Sequence, residues 1–64
     1  MNFIVQVEFV YGETDHELEH KINKRCGELA GLGREVINVS YSADTTRVFS
    51  MSAMIVYKKY LFLN

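Results

Sequence analysis

The string His16-Glu17-Leu18-Glu19-His20 is the first place in the chain where residue types and spacing could do chemistry. It matches H-E-x-x-H, in which two imidazoles one helical turn apart grip zinc while the intervening glutamate takes a proton from bound water. Catalytic zinc needs a third protein ligand and a walled cleft, and these are the only two histidines in the chain. On a helical wheel both lie roughly opposite Leu18, Ile22 and Leu29, so they are expected to face water. Zinc hydrolysis therefore stands only as a remote alternative, and no metal, cofactor or catalytic residue is assigned. Cys26, the single cysteine, falls on the apolar helix stripe, which favours an inert core thiol over a nucleophile. Gly31-Leu32-Gly33 is too short for a phosphate-binding glycine fingerprint.

A second group is polar. Ser40, Ser42, Ser50 and Ser52 share one parity of two successive strands, expected on the side away from the helix. With Tyr41 or Arg47 such a hydroxyl row can line a small-molecule pocket between subunits. The plainer reading is a polar, hydrated strand face.

These residues need elements to hold them. Phe3, Val5, Val7, Phe9 and Tyr11 alternate with Ile4, Gln6, Glu8 and Val10, the period of a strand over 3–11 with one strongly apolar face. Thr14-Asp15-His16-Glu17 fits a capping box and opens a helix over 15–30, with Leu18, Ile22, Cys26 and Leu29 in one stripe and Arg25 at its margin. Gly31 and Gly33 supply a left-handed stop with Leu32 tucked beneath it. A strand over 35–42 sets Ile37, Val39 and Tyr41 against Val36, Asn38, Ser40 and Ser42. The polar stretch 43–46 suits a hairpin loop. A strand over 47–58 sets Phe49, Met51, Ala53, Ile55 and Tyr57 against Val48, Ser50, Ser52, Met54, Val56 and Lys58. An apolar C-terminal tail over 59–64 follows. The expected fold is α+β: a single small β-α-β-β domain, its three-stranded mixed sheet covered by one helix on one face, with the last strand in the middle.

At 64 residues and a formal charge of −1, the chain lacks the basic surplus that phosphate binding needs, so nucleic acid is a poor partner. No apolar run reaches the length of a membrane span and the start lacks a signal-peptide pattern, so a soluble, cytoplasmic protein is expected, without a disulfide framework. A domain this short buries only about 60% of its unfolded surface, and self-association is the usual remaining source of stability. The helix-free face is expected to carry Ile4, Val10, Val36, Val48, Met54 and Val56.

Val36-Ile37-Asn38-Val39-Ser40-Tyr41-Ser42 followed by Ser52-Ala53-Met54-Ile55-Val56-Tyr57 resembles the paired strands of a short sporulation-protein family. That family is named for a mother-cell sigma-factor-controlled protein and occurs also in phage genomes of spore-forming bacteria. Val5-Gln6-Val7-Glu8-Phe9 and Glu17-Leu18-Glu19 are similar too, so the likeness spans roughly residues 3–58, while the tail 60–63 departs from it. The resemblance implies a strand-helix-strand-strand domain of bacterial or phage origin and transfers no catalytic residue.

The functional expectation is a non-enzymatic protein-binding module, a homodimer or higher symmetric oligomer acting stoichiometrically on a host protein, as a phage-type inhibitor or sporulation-associated factor. Met54, Val56, Tyr57, Tyr60, Leu61, Phe62 and Leu63 are the expected self-association residues. The acidic helix face of Glu13, Glu17, Glu19 and His20 is the expected contact for a basic partner. The alternative is an oligomer that sequesters a small molecule through Ser40, Tyr41, Ser42, Arg47, Ser50 and Ser52.

Overall fold

A computed structural model describes residues 2–44 and 50–61. The elements are β1 (Asn2–Gly12), α1 (Asp15–Gly31), β2 (Glu35–Asp44) and β3 (Ser50–Leu61). The α+β order β-α-β-β holds, and the strands lie in the order β1-β3-β2 with β3 central, as the sequence suggests. β1 and β2 run in the same direction but flank β3, so both hydrogen-bonded ladders are antiparallel and the sheet is not mixed in its pairing. The expected tail does not begin at 59: Lys59, Tyr60 and Leu61 continue β3 because Ile4, Phe3 and Asn2 pair with them. At the other end, Ala43 and Asp44 extend β2 opposite Met51 and Ser50 instead of forming a loop.

The helix begins where the hydroxyl of Thr14 accepts the Glu17 amide at 3.1 Å, and the Glu17 carboxylate reaches back to the Glu13 amide at 3.3 Å. This is the capping-box exchange moved one residue outward. It ends where Gly33, at φ +75°, lets the Arg34 amide reach the Leu29 carbonyl and its own amide reach Ala30, both at 3.0 Å. A left-handed residue with these two bonds satisfies the last free carbonyls. Leu32 does not tuck beneath that turn but stands exposed beside it.

Leu18, Ile22 and Leu29 from α1 meet Ala53, Ile55 and Tyr57 from β3 in a single core, with Val10, Cys26, Val36, Val39 and Met51 packed at its edge. The apolar odd positions of the central strand thus face the helix, as their alternation requires. β1 does the reverse of what its composition suggests. Its richer face, Phe3 to Tyr11, points away from the helix, while Ile4, Gln6, Glu8 and Val10 lie on the helix side.

Two tertiary contacts fix that parity. Gly12 is buried so closely under α1 that a Cβ would sit 2.9 Å from the Leu18 amide nitrogen, so even-numbered positions must face the helix. Glu8 then meets Arg25 in a two-point ion pair, Nε and Nη2 each at 2.7 Å from a carboxylate oxygen. In β2 the register shifts between Val36 and Asn38. That bulge inserts Ile37 as an extra, exposed residue and returns Val36 to the core edge, whereas plain alternation assigns Val36 to the open side and Ile37 with Val39 and Tyr41.

Candidate functional site: the open sheet face

Among the described residues, one helix over three strands leaves the other sheet face uncovered. The β1–β3 register sets Phe3, Val5, Val7, Phe9 and Tyr11 beside Tyr60, Lys58, Val56, Met54 and Ser52 on that face. All five β1 residues are exposed, Phe9 at 61% and Tyr11 at 65%. Together they present roughly 500 Å² of largely apolar surface, near the upper end of what monomeric proteins leave in water.

The patch has a polar rim. Lys58 Nζ sits 4.6 Å from the Phe3 ring centroid, and the Phe3 and Tyr60 rings meet edge-on at 5.9 Å. The Tyr60 hydroxyl donates to Glu35 Oε2 at 2.7 Å, and that bond to a carboxylate holds the phenol above its ordinary range. Along β2 the register brings Ser42 opposite Ser52 and Ser40 opposite Met54, and Asn38 Nδ2 donates to Ser40 Oγ at 3.2 Å. A hydroxyl row therefore exists on the helix-free face.

Several expected site residues lie elsewhere. Tyr57 is 4% exposed on the helix side and takes no part in the open face. Its hydroxyl donates to Gln6 Oε1 at 3.0 Å and Glu8 Oε1 at 3.2 Å, and its ring packs 5.9 Å from the Arg34 guanidinium. Odd-numbered residues of a regular strand share its side, so Leu61, paired with Asn2, is also on the helix side. Tyr41, opposite Ala53, leaves the serine row for the same reason. Ile4, Val10 and Val36 likewise leave the open face. Met54, Val56 and Tyr60 remain on it, half-buried. Ser50 pairs with Asp44 through its backbone, while Arg47, Val48, Phe62 and Leu63 lie outside the described residues.

The residues missed by sequence reasoning are the five odd positions of β1. The signal for them was Glu8: a carboxylate on the other parity can meet Arg25 only if that parity faces the helix.

On the helix, Glu13, Glu19, His16 and His20 are exposed. Glu17 is tied to Lys21 at 2.9 Å and to the Glu13 amide, and these partners, Lys21 first, hold its carboxyl below the usual carboxylate range. A glutamate so engaged is a cap rather than a free base. Among the described residues no three His, Cys, Asp or Glu side chains gather into a metal site. The Glu8 carboxyl is likewise held low, chiefly by its hydrogen bonds from Arg25. No described helix is long and apolar enough to cross a membrane. Comparison with protein-family models, curated proteins and solved structures finds no match.

Proposed function

We propose that this chain is a non-enzymatic binding module that works as a homo-oligomer, with a second copy covering the open sheet face. The observation that carries this reading is the unbroken apolar row Phe3, Val5, Val7, Phe9, Tyr11 standing in water on a single chain. Two copies facing one another would bury about 1,000 Å² between them from β1 alone, the lower bound for a specific interface, before Met54, Val56 and the rim contribute. Serines 40, 42 and 52 and Asn38 then form the polar border usual around an apolar interface core.

In this reading the exposed helix surface, with Glu13, Glu19 and His20, is left free for a basic host partner held stoichiometrically. The resemblance noted above favours a phage-type or sporulation-associated role. Sedimentation equilibrium of the intact chain between 1 and 100 μM tests the reading: a mass of two or more chains is expected, and a mass of one chain throughout overturns it.

The hydroxyl row beside the apolar patch favours a second reading, capture of a small polar molecule between copies. Native mass spectrometry of protein taken directly from cells decides it. A discrete small-molecule adduct on the oligomer supports capture, and a bare oligomer rejects it.

A further inference from the structure

The two edges of the sheet differ. β2 carries the bulge at Ile37, a device that spoils pairing with another strand, and has acidic residues, Glu35 and Asp44, at its two ends. β1 is eleven residues long, pairs with β3 without a register shift, and holds neither proline nor a basic residue. Its single charge, Glu8, is turned to the helix side and neutralised by Arg25. Such an edge is a template for strand addition, and soluble proteins ordinarily guard it.

The sequence of β1 also reads as its own partner. Laid antiparallel on a second copy about a two-fold axis at Val7, it pairs Val7 with Val7, Val5 with Phe9, Phe3 with Tyr11 and Ile4 with Val10. The aromatic–aromatic and aromatic–β-branched pairs are those that stabilise neighbouring strands. Glu8 falls opposite Gln6. Shifting the sum of paired residue numbers up by two sets Glu8 against Glu8, a like-charge pair that is destabilising. The register centred on Val7 is also the one that overlaps the whole of β1. The Lys21 ammonium already takes the Tyr11 carbonyl at 3.0 Å, so the backbone ladder runs over 4–10 and the outermost rung meets through side chains.

The geometry points to a second interface: β1 pairs edge to edge with β1 of another copy, in the register Val7 to Val7, making a continuous six-stranded sheet with both helices on one side. This rests on the reading that the chain associates with itself but uses a different surface. The joined sheet would bring two apolar rows side by side, and covering them face to face makes four chains the closed assembly.

Cysteine cross-linking tests the register. In a Cys26→Ser background, Ile4→Cys and Val10→Cys are made singly and oxidised. Both sit on the helix side of β1, away from any face-to-face contact. In the proposed register each lies opposite the other at a Cα separation of about 4.5–5.5 Å, within disulfide range, whereas identical positions are about 20 Å apart. A mixture of the two variants is expected to cross-link, and neither alone. If Val10→Cys fails to fold, amide hydrogen exchange of the unmodified chain at about 100 μM repeats the test: the Val5, Val7 and Phe9 amides, of the same parity as the outward Tyr11 carbonyl, slow only when β1 pairs at its edge. A single variant linking to itself overturns the register. No cross-link in the mixture, or fast exchange at those amides, with a sedimentation mass still above one chain, overturns the edge interface and leaves the face. A mass of one chain removes both.

Discussion

Replacing Phe9 with lysine separates association from folding, because Phe9 lies on the open face and not in the core. A phenylalanine presents about 200 Å², so at 61% exposure roughly 120 Å² is available to a partner. Covering it is worth about 3 kcal/mol at 25 cal/mol per Å². A two-fold interface contains the residue twice, so Phe9→Lys removes up to about 6 kcal/mol, close to four decades in dissociation constant. Partial covering halves this and still leaves about a hundredfold. The lysine charge adds desolvation in the same direction. Isothermal dilution calorimetry gives the dissociation constant, and melting at several concentrations supplies the control. The wild-type melting temperature should rise with concentration more steeply than that of Phe9→Lys. A variant constant within tenfold of wild type refutes the placement of the interface.

Three further predictions concern the scaffold. Leu29 is fully buried between helix and sheet, so Leu29→Ala should lose about 2–5 kcal/mol, enough to leave so small a domain largely unfolded at 25 °C, which far-ultraviolet circular dichroism would register. Gly12→Ala drives a methyl group against the Leu18 backbone and should cost about 1–3 kcal/mol by urea titration, whereas Gly27→Ala, inside the helix with open space for the added Cβ, should stabilise by about 0.5–1 kcal/mol. The Glu8 carboxyl is held below its ordinary value of 4.5 chiefly by Arg25, so its contribution is complete above that pH and fades as pH falls through the lowered value. The urea midpoint of wild type should therefore exceed that of Glu8→Gln at pH 7 and converge on it once the pH falls below that lowered value, and parallel curves would remove Glu8 from the acid response.

Much of this molecule is readable from residue order. The capping residues Thr14 and Glu17, the helix stripe and the odd face of β3 follow from period and residue type, because each has one clearly apolar side. The length and apolarity of β3 also argue for its central place. β1 misleads because both of its faces carry large apolar residues, and the richer face was the natural candidate for the core. What decides its parity is tertiary: the close approach of Gly12 to Leu18 and the pairing of Glu8 with Arg25 and Tyr57, partners 17 and 49 residues away. The bulge at Ile37 leaves no mark in composition, and it alone moves Val36 from one side of the sheet to the other. The alternation of β3 itself sets Tyr57 with Ala53 and Ile55 on the helix side, apart from Met54 and Val56. Tyr57 resembles an interface anchor by type, but its hydroxyl has polar partners under the helix, so a tyrosine can be buried there without an orphaned group.

The proposed function turns on a second copy covering the odd-numbered row of β1. Hydroxyl-radical footprinting of the intact chain at 1 and 100 μM measures that cover residue by residue. Phe3, Phe9, Tyr11 and Met54 should become protected as concentration rises, while Leu32 and Ile37, exposed elsewhere, should be labelled equally at both. Equal labelling of Phe9 and Tyr11 at the two concentrations, alongside a mass of one chain, would contradict it.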